Sequence, residues 1–355
     1  MGHPPWKDDW ETTRARYLEW WAGLGLVISM WEHLEVDDIC HEQVAAPPPA
    51  RDLDQRWFDP DWRAADIHHR LSRSELRADI LPVANTQLGP GSLAAVFGAE
   101  LVGGEDTIWT EAVAPDAPVS FDRSGPGMRL HLDLVNACQR LSDGRYFVGC
   151  PDLMEGLDTL TGLRGVAPVM EQMVLDPEGV ERDLRAVNEV WFDVFEQIYQ
   201  AINVAGEMAF CYFSLWSPGR MAKLQCDVSL MISPGHFRRF VVPFIDEQCR
   251  WLDHSMYHLD GVDAIHHLEA LLEIEELDAV QWTPGVGQPQ GGDPKWFDLY
   301  RQVRAAGKSV MATWVELDEL APLLDAIGPD GMHMLMDFKS PADIDAALEI
   351  AERYR

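Results

Sequence analysis

Basic residues are scarce in this chain. It carries 28 Lys and Arg against 59 Asp and Glu, a formal net charge of −31. That balance excludes a phosphate-backbone partner, which requires a basic stripe along one face. No block of consecutive acids stands out, so the negative charge reads as a solvated, well-hydrated surface. Long apolar runs are missing as well: none approaches the roughly 20 residues that a membrane span needs. The opening segment, Met1-Gly2-His3-Pro4-Pro5-Trp6-Lys7, has no apolar core of a secretion signal, so the cytoplasm is the expected location. Neither G-x-G-x-x-G nor G-x-x-x-x-G-K-[ST] occurs, which removes motif support for nucleotide binding. The six cysteines (40, 138, 150, 211, 226 and 249) form no C-x-x-C pair. That spacing suggests neither a structural zinc knuckle nor a disulfide framework.

What is present is a chain of 355 residues, 47% hydrophobic, with 14 tryptophans. The first part, 1–140, reads as an irregular extension opened by an aromatic-striped helix that carries Trp10, Tyr17, Trp20 and Trp21. From about residue 205 the pattern becomes regular. Strand signals fall at 208–214, 255–258, 279–282, 309–314 and 332–336, with a weaker one at 226–231. Helices open between them on Ser233-Pro234, Asp293-Pro294 and Ser340-Pro341, each an N-cap followed by a proline in the first turn. Strands recurring every 20–30 residues are the repeat of βα units. The expected fold is therefore α/β, a (β/α)8 barrel whose main part is 141–355, packed with the extension into one structural domain.

In such a barrel, chemistry gathers at the C-terminal ends of the strands. Tyr257-His258-Leu259-Asp260-Gly261 is the leading candidate. Period-two alternation sends His258 and Asp260 to the same side of a strand, as a metal-ligand pair or an acid/base pair requires. The structural alternative is a buried histidine with Asp260 capping the following helix. Other candidates at strand ends are Asp152, Asp227, Gln281, Glu316 and Asp337. Trp109, Trp216, Trp282 and Trp314 are candidate substrate-stacking residues, since an indole face holds a sugar or a cation. Glu316 also reads as the start of the helix at 317–326.

Several stretches together resemble the uroporphyrinogen decarboxylase-like superfamily. They are Trp10-Glu11-Thr12 with Arg16-Tyr17; Leu157-Asp158-Thr159-Leu160-Thr161-Gly162; Ile232-Ser233-Pro234 leading into Val242-Pro243; the His258 motif; and Ala279-Val280-Gln281-Trp282-Thr283-Pro284-Gly285. The branch is similar to corrinoid-linked methyltransferases, the "trimethylamine corrinoid protein 2"-like group. The resemblance covers most of the chain and is strongest over 150–310. It implies a (β/α)8 barrel, a homodimer, and either decarboxylation of acidic tetrapyrroles or methyl transfer between a corrinoid and a thiol. The methyltransferases of that superfamily hold zinc on a His-x-Cys pair and a later cysteine. Here His258 matches the histidine, Asp260 stands at the cysteine position, and Asp337 lies near the late one, with no cysteine in 332–340.

That departure has a chemical meaning. A His/Asp set is harder than one with thiolates and leaves zinc or another divalent metal a stronger Lewis acid. The first functional expectation is methyl transfer or demethylation of a small methylated compound, metal-assisted at His258, Asp260 and Asp337. A separate corrinoid protein would be its partner, since no D-x-H-x-x-G motif occurs. The second is acid/base or metal-assisted cleavage of a polar molecule such as a glycoside, with Asp260, Glu316 and Asp227 as the carboxylates. The third is a non-catalytic binding protein on the same fold. Tetrapyrrole decarboxylation is disfavoured, because Arg14 and Arg16 stand without the rest of that enzyme's arginine motif.

Overall fold

The structure is a computed structural model that describes residues 4–355. It contains β1 (Leu26–Ser29), β2 (Val83–Ala84), β3 (Glu100–Gly103), β4 (Ile108–Glu111), β5 (Phe147–Cys150) and β6 (Glu207–Phe210). There follow β7 (Leu215–Pro218), β8 (Met221–Gln225), β9 (His254–Asp260), β10 (Ala279–Thr283), β11 (Ser309–Val315) and β12 (Met332–Met336). A six-stranded sheet runs β1-β12-β11-β10-β9-β8 and is parallel throughout. A second sheet, β2-β5-β6-β7, is parallel except that β7 returns antiparallel to β6. β3 and β4 form a hairpin of their own.

The architecture is α/β with central parallel strands and surrounding helices. The strand ladders form two sheets, and their edges are bridged. Asp79 N–H donates to Ile28 O (2.8 Å), and the Asp79 carboxylate accepts from Ile28 N (2.9 Å). On the other side, Met221 N–H at the start of β8 donates to Met208 Sδ in β6 (3.2 Å). β10, β11 and β12 are buried along almost their whole length, as parallel strands covered on both faces must be. Among the described residues, no helix is long and apolar enough to cross a membrane.

The opening aromatic helix, α1 (Trp10–Trp21), lies across the N-terminal ends of the strands. Trp20 Nε1 donates to Val310 O (3.2 Å), Trp21 Nε1 to Trp216 O (2.9 Å), and Ser309 Oγ to Trp20 O (2.6 Å). Trp20 and Trp21 thus keep their one donor satisfied while removing a large apolar surface from water. The helix Pro177–Ile202 covers another face. Its Asp176 cap accepts from Gly179 N and its buried stripe runs Val180, Leu184, Val187, Trp191, Val194, Ile198 and Ile202.

β1, within the first 140 residues, pairs with β12, the last strand, so that part of the chain contributes a strand to the six-stranded sheet. One sequence expectation needs correction. The weak strand signal at 226–231 is a 3-10 turn, Asp227–Met231, and the strand is β8, immediately before it. The turn forms because the Asp158 carboxylate accepts from the backbone N–H of both Asp227 (2.8 Å) and Val228 (2.9 Å). Those two donors are taken from any strand ladder.

Candidate metal centre

The C-terminal ends of β8 and β9 bring three side chains together. Asp227 leaves β8 at its end, while His258 and Asp260 alternate along β9. One potential ligand atom from each lies within 4.8 Å of the others. His258 is buried; Asp227 and Asp260 reach solvent. The His258 Nε2 to Asp260 Oδ2 distance is 3.9 Å.

The tautomer of His258 follows from the hydrogen bonds behind it. Thr313 Oγ1 donates to Trp282 O (2.6 Å), so it is left to accept from Gln281 Nε2 (3.4 Å), which also donates to Thr283 Oγ1 (2.8 Å). The Gln281 amide is thereby oriented, and its Oε1 faces His258 Nδ1. A carbonyl oxygen can only accept, so Nδ1 carries the proton and Nε2 presents a lone pair toward Asp260. Burial, together with the Lys223 charge, drives the imidazole down to about 3, so it is neutral at physiological pH.

Asp227 and Asp260 are both pushed above the usual carboxylate range, first by burial. Gln225 Nε2 donates to Asp227 Oδ1 (2.9 Å), which orients that carboxylate. The group therefore presents an imidazole lone pair and two carboxylates with no donor of their own between them. A neutral imidazole held by a second hydrogen bond and flanked by oxygen ligands is the donor set of a three-ligand metal site with open positions. These residues fit a hard divalent ion; no thiolate belongs to the group. Cys226, next to Asp227, is buried and its thiol is pushed far up by that burial.

A second, drier layer adjoins this group. Lys223 is fully buried, pairs with Asp152 (2.5 Å) and sits over the Tyr212 ring at 4.4 Å. Asp152 is raised by burial, partly offset by Lys223. Glu155 Oε1 accepts from Gln225 N (2.9 Å). Burial raises Glu155 too. Tyr212 and Phe213 close the group on one side, their rings 6.0 and 5.4 Å from His258.

The remaining sequence candidates lie elsewhere. Trp282 points to the opposite face of β10 from Gln281 and packs against Trp296 (5.1 Å), fully buried. Trp216 is fully buried under α1, against Trp10 (5.3 Å) and Tyr17. Neither indole is exposed to a ligand. Trp109 is 62% exposed on the β3–β4 hairpin. Trp314 packs on Trp31 (5.7 Å), one of the residues nearest Phe213. Glu316 stands at the N-cap of the helix Leu317–Ile327, where Glu319 accepts from its backbone N–H (3.0 Å). Asp337 pairs with Lys339 (2.5 Å) and is not part of the three-residue group. Lys223, Gln225 and Glu155 escaped the sequence reading. The alternation of Met221-Ala222-Lys223-Leu224-Gln225 carries a signal for Lys223 and Gln225, whereas Glu155 stands just before the helix Gly156–Arg164 with no comparable pattern.

No family model matches the chain, and no curated protein matches it. Among solved structures it is similar to a methyltransferase from Methanosarcina mazei. The identity is 12% and the TM-score 0.62, over 96% of this chain and 98% of that one. At that identity the likeness shows a shared fold over nearly the full length of both chains.

Proposed function

We propose that the protein is a metal-assisted methyltransferase acting on a small methylated compound, built on a (β/α)8 barrel. The observation that carries this reading is the Asp227–His258–Asp260 group. Three acceptors converge at the C-terminal strand ends, and a cation between them would relieve their mutual repulsion further than the nearby Lys223 charge does. The bridged edges of the two sheets support closure of the barrel. The full-length likeness to a methyltransferase supports the class of reaction, and the resemblance of the His258 motif to corrinoid-linked methyltransferases points the same way.

His258 Nε2, Asp227 and Asp260 would hold the ion. When bound, it supplies Lewis-acid polarisation of a heteroatom on the substrate. The chain's own residues do the rest. Gln281 keeps the His258 proton on Nδ1, and Gln225 keeps Asp227 turned toward the group. Tyr212 and Phe213 exclude water from one side, which strengthens every charge interaction beside them. With oxygen ligands in place of thiolates, the site suits an oxygen or nitrogen substrate better than a thiol. A separate corrinoid protein as methyl acceptor, and a homodimer, belong to the same proposal.

Glycoside cleavage has less support, because Glu316 is held at a helix cap and Asp227 and Asp260 lie closer than an intervening water requires. The deciding experiment is elemental analysis of the purified protein and of His258→Ala, followed by incubation with methylated amines and ethers and reduced cobalamin. Stoichiometric divalent metal in the wild type only, with a methylcobalamin spectrum appearing, is the expected result. A metal-free wild type would sink the reading.

A further inference from the structure

Arg63 is a buried cation without a counter-ion. It lies on the helix Pro60–Leu71 and is 8% exposed. Its guanidinium donates only to backbone carbonyls: Trp57 O (3.2 Å), Asn85 O (3.4 Å) and Gln87 O (2.9 Å). Among the described residues no carboxylate lies within 4.0 Å of it. Three hydrogen bonds leave two of the five guanidinium N–H groups without a protein partner. Burying a charge this way costs several kcal/mol in general unless an opposite charge is supplied.

Arg63 lines a cleft of about 380 Å³ with Trp57, Trp62, Asn85 and Gln87. Gln87 turns its side-chain amide toward Asp152, where Oε1 accepts from Asp152 N (2.8 Å). Asn85 Oδ1 accepts from Gln87 N (3.0 Å), which leaves the Asn85 amide nitrogen as a donor. An uncompensated guanidinium with an amide donor and indole walls is a receptor for one oxyanion on a small organic molecule. Glu32, Asp66 and Asp106 line this cleft together with Arg56 and Arg70, so its wall carries both signs of charge.

We propose that this cleft is an oxyanion subsite that takes a carboxylate or a phosphate group. It runs into a neighbouring cavity of about 350 Å³ through Glu32, Ile67, Arg70 and Asn85, which line both. That cavity ends at Trp31, whose ring packs on Tyr212 (4.5 Å) and Phe213 (4.9 Å), the two rings that face His258. These rings stand between the cavity and His258, and none of Asp227, His258 and Asp260 lines either cavity. The anion subsite does not rest on the function proposed above.

The test is thermal unfolding of the full-length protein in sodium acetate, sodium phosphate and sodium chloride at equal ionic strength, with calorimetric titration of whichever anion stabilises. Saturable stabilisation over chloride is expected, and the effective anion separates a carboxylate from a phosphate site. Asn85→Asp keeps the acceptor for Gln87 N–H and places a carboxylate in the cleft. It should weaken anion binding at least tenfold while its Tm in chloride stays the same or rises. Arg63→Lys, which keeps the charge and loses the fork, should also weaken it. Acetate and phosphate behaving as chloride does, or unchanged binding in both variants, would overturn the proposal. Metal content read on the same samples separates the two ideas: His258→Ala should lose metal and keep anion binding, and Asn85→Asp the reverse.

Discussion

Gln281 shows how much one side chain can decide without touching a ligand. Its amide orients His258, and the orientation is inherited from Thr313 and Thr283. Gln281→Leu should therefore lower metal affinity by about 10- to 100-fold, the usual cost of losing a hydrogen-bonded support to a ligating histidine. Competition with a chelator measures it. Asp260→Asn should lower affinity further, since it removes a ligand charge rather than its support. Asp337→Asn should leave metal content unchanged, because that carboxylate is engaged with Lys339. His258 and Asp260 were legible in the sequence because a two-residue spacing on a strand fixes a shared face. The support behind them was not legible, since Gln281 and Thr313 stand on neighbouring strands, 23 and 32 residues from their partners.

At the scale of elements, α1 and the helix Leu317–Ile327 carry contrasting lessons. Trp20 is fully buried at the closed end of the strands. Trp20→Ala should cost about 3–5 kcal/mol in urea unfolding, since it empties a large volume and orphans the Val310 carbonyl. Glu316→Ala should cost only about 1 kcal/mol, the value of a helix cap, and leave turnover intact. A loss of turnover by orders of magnitude would instead return Glu316 to the chemistry. The aromatic stripe of α1 announced a helix with a buried face. Nothing in it announced that Trp216 and Trp282 would be packing residues too, because burial of an indole depends on which elements lie over it. The displaced strand signal at 226–231 has a similar origin: Asp158, about 70 residues away, bends that segment into a turn.

Across the whole molecule, the buried histidines set an acid limit on stability. Burial drives His131 down to about 4 and His333 to about 3, below the unfolded value of about 6.5. Between those values the unfolded chain binds a proton that the native state refuses. Their contribution is thus full above about pH 6.5 and is lost as pH falls toward 3, by up to about 1.4 kcal/mol per pH unit for each histidine. Burial raises Asp152 and Glu155, which act in the opposite sense, so the histidine share is best isolated by difference. Denaturant unfolding at pH 7.5, 6 and 5 should show a shallower decline in His333→Gln than in the wild type. The charge of −31 adds a salt effect: raising ionic strength should raise the Tm by screening self-repulsion.

The sequence by itself determined the class of partner that a charge of −31 rules out, the α/β alternation, and the pairing of His258 with Asp260. All of these follow from composition or from periodicities of a few residues, which act locally. Only the tertiary structure decided that Asp227 completes the group and that Glu316 and Asp337 do not. It likewise decided that Lys223 stands behind His258 and that Arg63 is left without a counter-ion. Those outcomes depend on which strands become neighbours and which side chains lose water together. Even where the contact is short-range, as for Asp337 with Lys339, the packing of distant elements decides whether that residue reaches the site.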